Sequence, residues 1–185
     1  MIEFITKYMS EATTVSKWAN RFIWAAVAQG AGALFWTILI IAPFMTPPIS
    51  RIIAGGSAGT WFFVGYITYI VVGVIGVAVT SLFYHHIEVN LKKPFKGLGN
   101  VLASLHFILM NVGVAGATWL LMIAGYTGGK ALQPTQLGGL GITNPGQVHP
   151  LIAGYVEPIG YFIIALCIGV LAGGFGYIVT YLRKK

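Results

Sequence analysis

The chain has 185 residues, of which 57% are hydrophobic and only 8% are charged, and its mean hydropathy is +0.82. Soluble globular proteins carry about a quarter of their residues as charged side chains, so the composition excludes a soluble globule. Eleven Lys and Arg against four Asp and Glu give a net charge of +7. In a membrane protein such a balance reflects topology and anionic lipid, so we expect contacts with membrane lipid and none with nucleic acid.

Four apolar segments are long enough to cross a hydrocarbon core of roughly 30 Å. They run near residues 20–43, 60–84, 101–124 and 156–182. We therefore predict an all-α membrane protein with four transmembrane helices. It would consist of a cytoplasmic leader at 1–19 and a single four-helix transmembrane domain at 20–182.

Two stretches outside the spans have a distinct composition. Residues 1–17 mix apolar and charged side chains, which is typical either of a short helix on the membrane surface or of a solvated segment. Residues 125–155 are rich in glycine and predict a long extracytoplasmic loop between the third and fourth helices. Loops of this length are usually functional or contact a partner.

The basic residues divide unequally between the two sides of the predicted bundle. An even number of crossings places both termini and the 90–100 segment on one side. That side holds Lys7, Lys17, Arg21, Lys92, Lys93, Lys96, Arg183, Lys184 and Lys185, and the other holds Arg51 and Lys130. Because positive residues favour the cytoplasmic side, we expect a multi-pass protein of the cell membrane with both termini in the cytoplasm.

Small residues recur at four-residue spacing on the last two spans and allow helix backbones to approach closely. The candidate packing positions are Gly113, Gly116, Ala117, Gly169 and Gly173. We expect them to pack within this chain or against neighbouring subunits, and leucine at Gly113 or Gly173 to separate partners without unfolding a span. Asn111, in the middle of the third span, is expected to hydrogen-bond across helices.

Three histidines lie near the cytoplasmic ends of spans two and three. His85, His86 and His106 are the candidate cofactor ligands, since imidazoles that face each other across a bundle bind haem, iron or copper. Adjacent residues on a helix diverge by about 100°, so at most one of His85 and His86 faces a partner. The same residues are also typical of a polar exit from the bilayer. No familiar catalytic motif is present.

Residues 105–128 contain a spaced pattern: His106-Phe107, five residues, Gly113-Val114, ten residues, then Gly125-x-x-Gly128. This pattern resembles the penultimate helix of haem-copper oxidase subunit I, the family of the cytochrome c oxidase core. The fourth span resembles the last helix of that family, and the second span corresponds to the helix before the penultimate one.

The resemblance implies that the chain lacks the family's cofactor ligands. The family carries a His-x-His pair for its two haems on the outer half of the helix before the penultimate one, where this chain reads 60–69 without a histidine. His106 matches a motif position that is not a ligand, and the copper ligands belong to earlier helices. We therefore expect a non-catalytic accessory subunit of a respiratory complex of the terminal oxidase type. It would bind no haem or copper itself, would not be an enzyme alone, and would join other transmembrane subunits that hold those groups.

Three alternatives remain open at this stage. The chain could be an accessory subunit of another membrane redox enzyme, such as a copper-dependent membrane monooxygenase. It could be a small b-type cytochrome that uses His106 with His85 or His86. A small transporter is the least favoured, since the hydrocarbon part of the spans has no Asp, Lys or Arg, the charges that ion-coupled carriers use.

Overall fold

The structure is a computed structural model that describes residues 16–183. It is all-helical over those residues and has four helices long and apolar enough to cross a membrane. The predicted four-helix membrane fold is therefore confirmed at that level. Most of the predicted leader, including the possible surface helix, lies outside the described residues.

Within residues 16–183, five helices follow one another. They are α1 (Lys17–Ile41), the short α2 (Ile49–Ala54), α3 (Gly59–Asn90), α4 (Leu98–Leu132) and α5 (His149–Leu182). Two short 3₁₀ turns, Thr135–Leu137 and Pro145–Val148, lie between α4 and α5. The central helix is α4, which packs against α3 on one side and α5 on the other, while α1 lies mainly against α3.

The first helix begins three residues earlier than the apolar pattern predicted, because Ser16 caps it. The Ser16 side chain accepts a hydrogen bond from the Ala19 N–H at 3.3 Å. The Ser16 hydroxyl and the Trp18 N–H, the latter at 3.0 Å, both donate to the Glu88 carboxylate near the end of α3. These bonds satisfy free amides of the first turn and tie the start of α1 to the end of α3.

The segment predicted as a loop over 125–155 is helical at both ends, so the connection between α4 and α5 spans only 133–148. A side-chain carbon at Gly125 would overlap the backbone N of Phe62, and one at Gly129 would overlap the Ile52 side chain. These glycines therefore do not break the helix. They allow α4 to approach α2 and α3 closely.

The third helix contains a π-helical stretch, Tyr69–Gly76, between two α-helical parts. The buried residues of α3 recur every four positions from Gly65 to Ser81. In a regular α-helix such a stripe drifts by about 40° per repeat. The wider π turns, with i→i+5 bonds, reverse this drift and keep the stripe directed at the neighbouring helices.

Both ends of the described chain lie at the same end of the bundle. The Trp18 indole N–H donates to Asn100 Oδ1 at 3.2 Å, Lys93 Nζ donates to the Arg183 carbonyl at 3.1 Å, and Arg183 donates to the Pro94 carbonyl at 2.6 Å. This end, called here the basic end, carries Lys17, Arg21, Lys92, Lys93, Lys96 and Arg183. Lys130 lies in the last turn of α4, at the other end of the bundle. Arg51 lies in the short helix α2, which packs against that part of α4.

Candidate functional site

A histidine and a tyrosine are paired in the interior of the bundle, near its basic end. The Tyr84 hydroxyl on α3 and His106 Nδ1 on α4 lie 3.0 Å apart. Phe22 of α1 stacks on the Tyr84 ring, with centroids 4.9 Å apart, and lies 5.1 Å from the His106 ring. Gly173 of α5 covers the other side, where a side-chain carbon would overlap the imidazole. Four helices therefore enclose His106, which is only 8% exposed.

His106 has one hydrogen-bond partner among the described residues. Its Nδ1 bonds the Tyr84 hydroxyl, and the tautomer of the ring decides which of the two atoms donates. No described residue bonds Nε2.

The side chain of His106 borders a cavity of about 690 Å³ between α3 and α5, with α4 as its floor. Its wall includes Phe83, Tyr84, Met110, Gly173, Gly174 and Tyr177. Phe83 and Ile178, at the edge of the cavity, are more than half exposed on the apolar outer surface of the helices. The opening therefore lies on the apolar outer surface of the bundle.

A second polar cluster lies deeper in the bundle, where α1, α3 and α4 meet. The Tyr69 hydroxyl donates to Gln29 Oε1 at 2.6 Å, and Gln29 Nε2 donates to Asn111 Oδ1 at 3.1 Å. Asn111 Nδ2 in turn donates to the Phe107 carbonyl at 2.8 Å. The expected cross-helix hydrogen bond of Asn111 is confirmed. Each side chain has its polar atoms engaged, as the low dielectric of a membrane interior requires.

The three candidate histidines do not converge. His85 and His86 are both exposed on the outside of α3, and His86 Nδ1 lies 3.3 Å from Asn90 Nδ2 on the same helix. Tyr84 and Ile87, which flank them, are the buried residues of this part of α3, at 4% and 0% exposure. Across residues 16–183 no group of three or more His, Cys, Asp and Glu is placed to hold a metal ion.

The four candidate packing glycines lie at contacts between α4 and α5. Side-chain carbons at Gly113 and Gly169 would come within 2.6 Å of the Leu166 N and 2.8 Å of the Met110 N, respectively. One at Gly116 would overlap the Phe162 ring. Ala117 is buried, at 4% exposure. Because helices of the same chain fill these grooves, Gly113 and Gly173 are not open to a partner subunit.

Sequence reasoning did not identify Tyr84, Tyr69 or Gln29 as parts of polar sites. Gln29 was the detectable signal, because an amide in the middle of an apolar span needs a partner and Asn111 is another such amide. The tyrosines gave no comparable signal, since nine tyrosines are spread along the chain and only the helix register distinguishes inward from outward positions.

No protein-family model matches the chain, and neither the curated proteins nor the solved structures give a significant match.

Proposed function

We propose that this chain is a non-catalytic accessory subunit of a membrane respiratory complex of the terminal oxidase type, with haem and copper held by partner subunits. The observation that carries the proposal is the position of the spaced motif of 105–128 in the fold. His106 of the motif contacts Gly173, Gly113 contacts Leu166, and Gly125 contacts Phe62. Each of these motif positions is a point where α4 meets α3 or α5.

This correspondence supports a structural role for the part of the chain that resembles an oxidase core. The motif residues hold three consecutive helices together, and the interior polar side chains are largely used in bonds within the chain. Gln29, Tyr69 and Asn111 bond one another, and Tyr84 bonds His106. A subunit of this kind contributes a rigid apolar surface to a larger complex. Catalytic groups would then reside in the partner.

The basic end of the bundle supports the proposed orientation. Six cationic side chains gather there, two from α1, three from the connection between α3 and α4, and Arg183 after α5, and Glu88 is a carboxylate in the same region. Under the positive-inside rule this end faces the cytoplasm, which would place both chain termini there. The membrane would be the cell membrane.

Native purification tests the proposal. The chain, tagged at its C-terminus and expressed in its own cell, is extracted in a mild detergent, and the co-purifying proteins are identified by mass spectrometry. We expect a stoichiometric partner that contains haem and copper. A stoichiometric partner with copper but no haem would instead support the accessory subunit of a copper-dependent monooxygenase. Recovery of the chain without any stoichiometric partner would contradict both.

A further inference from the structure

We infer that a groove between α3 and α5, ending at the basic end, binds one anionic phospholipid, with an acyl chain along the groove and the phosphate beside Lys93 and Arg183. The inference goes beyond the proposed function and does not rest on it. It depends on three features of this part of the molecule: the length of the groove, the chemistry of its wall and the cations fixed at its end.

This α3–α5 groove consists of two adjoining cavities. The larger cavity, of about 690 Å³, lies between residues 76–84 of α3 and 170–178 of α5. The second cavity, of about 520 Å³, lies nearer the basic end and includes Tyr181 in its wall. Tyr177 and Ile178 line both cavities, so the two form one continuous groove.

The length of the groove matches one leaflet of a bilayer. The groove runs from Gly76 to His86 on α3 and from Val170 to Leu182 on α5, or about 15 Å and about 18 Å at 1.5 Å per residue. Half of a hydrocarbon core of roughly 30 Å is about 15 Å. A transmembrane helix of a partner would cross both leaflets, whereas the groove follows only the part of the bundle next to the basic end. An acyl chain of a lipid in that leaflet has the length that the groove can hold.

The wall of the groove suits a hydrocarbon chain. Most of its side chains are apolar, and the hydroxyls of Thr80 and Tyr84 are engaged within the chain. Thr80 Oγ1 donates to the Gly76 carbonyl at 2.8 Å, and the Tyr84 hydroxyl bonds His106. Gly174 adds space, because a side-chain carbon there would meet no atom within 4 Å. Since the groove opens on the apolar outer surface of the bundle, an acyl chain can enter it sideways from the leaflet.

Two cations are held in place where the groove meets the basic end. Lys93 Nζ donates to the carbonyls of Tyr181 and Arg183, the latter at 3.1 Å, and lies 5.5 Å from the centre of the Tyr181 ring. Arg183 donates to the Pro94 carbonyl at 2.6 Å. These acceptors are neutral backbone groups, so both side chains keep their full positive charge. Among the described residues, the bonds use two of the three ammonium N–H groups and one of the five guanidinium N–H groups, which leaves donors for a phosphate.

The charge balance favours an anionic lipid over a zwitterionic one. Within residues 16–183 the basic end has six cationic side chains, and Glu88 in the same region already accepts hydrogen bonds from Ser16 and Trp18. An anionic phospholipid reduces the excess of positive charge, whereas a zwitterionic headgroup brings a cation together with its phosphate. Basic pockets between transmembrane helices bind anionic headgroups for this reason.

Native mass spectrometry of the full chain tests the inference. The chain is purified in a mild detergent and titrated with dioleoyl-phosphatidylglycerol or with dioleoyl-phosphatidylcholine. We expect one phosphatidylglycerol to be retained per chain, about tenfold more tightly than phosphatidylcholine. Lys93→Gln and Arg183→Gln should each weaken this binding about fivefold, the effect of one cation near a membrane surface. Gly174→Leu, which places a side chain in the groove and changes no charge, should weaken it at least as much.

Each kind of variant has a matched control. Lys17→Gln removes a cation of the basic end that lies on α1, 5.7 Å from the centre of the Trp18 ring. Gly160→Leu adds the same side chain as Gly174→Leu at an α5 position outside the groove, where a side-chain carbon would also meet no atom within 4 Å. Both controls should bind phosphatidylglycerol as the unmodified chain does.

Five outcomes overturn the inference. They are no retained lipid, equal retention of the two lipids, equal losses in Lys17→Gln and Lys93→Gln, unchanged binding by Gly174→Leu, and displacement of the lipid by equimolar inorganic phosphate. The last would show that the basic end binds phosphate without need of an acyl chain. If Lys93→Gln fails to fold, Arg183→Gln takes its place in the comparison with Lys17→Gln. None of these outcomes depends on whether the chain co-purifies with an oxidase.

Discussion

The hydroxyl of Tyr84 and Nδ1 of His106 form a 3.0 Å hydrogen bond that joins α3 to α4 in the interior of the bundle. The pair is also packed against Phe22 from α1 and Gly173 from α5. A single bonded pair therefore touches all four long helices. This makes its removal a direct measure of how much the interior polar contacts contribute to the fold.

Tyr84→Phe is expected to lower the free energy of unfolding by about 1–3 kcal/mol, since it leaves His106 Nδ1 buried without a partner. The change removes one oxygen and preserves the ring that stacks on Phe22. Thermal unfolding in detergent measures the effect. Tyr161→Phe is the matched control, because Tyr161 is exposed on α5 and bonds only Glu157 of the same helix. Equal shifts for the two variants would show that the interior bond contributes nothing specific.

Gly113→Leu and Gly173→Leu are expected to separate α4 from α5. Leucine at Gly113 would collide with the Leu166 backbone, and leucine at Gly173 with the His106 ring, at a cost of about 1–3 kcal/mol or more. Both should therefore lower the unfolding temperature, and any loss of a partner should follow from that. Gly160→Leu adds the same side chain on α5 at a position with open space and should be neutral. Reduced partner recovery with unchanged thermal stability would restore the expectation that these residues face another subunit.

The hydrogen bond between Gln29 and Asn111 is expected to couple α1 to α4 by about 0.6–2 kcal/mol, the range measured for such bonds in membranes. A double-mutant cycle of Gln29→Leu and Asn111→Leu, followed by unfolding in mixed micelles, measures it. The two single variants should lose more stability together than the double variant does. Strict additivity would mean that the two amides do not stabilise each other.

The membrane orientation is tested by cysteine labelling after Cys167 is replaced by serine. A cysteine at Lys93 should react with an impermeant reagent only from the cytoplasmic face, and one at Gln136 only from outside, because Lys93 lies at the basic end and Gln136 in the connection between α4 and α5. Reaction of both positions from the same face would exclude the four-span arrangement.

Hydropathy identified the four helices because each contributes a long apolar stretch, but it missed their ends. α4 and α5 have 35 and 34 residues, or about 50 Å each, which exceeds the hydrocarbon core. The outer turns are therefore not required to be apolar. Gly125 and Gly129 suggested a loop because glycine weakens an isolated helix, whereas here close neighbours make glycine the residue that fits.

The site was less accessible to sequence reasoning, because it depends on which side of a helix faces inward. His85 and His86 resemble ligands in the sequence, but the inward positions of α3 are Tyr84 and Ile87. The cavity beside His106 arises from the separation of α3 from α5 and from an exposed glycine, Gly174. In a nearly uniformly apolar chain, no local sequence pattern indicates how far α3 lies from α5.

The central claim is that this chain braces a cofactor-bearing partner and holds no haem itself. The most direct measurement is the haem content per chain, by pyridine haemochrome assay, of the natively purified complex and of the same chain expressed alone. The account predicts at least one haem per chain in the complex and a negligible amount in the separate chain. Stoichiometric haem in the separate chain, lost in His106→Phe, would contradict the account and establish a small b-type cytochrome.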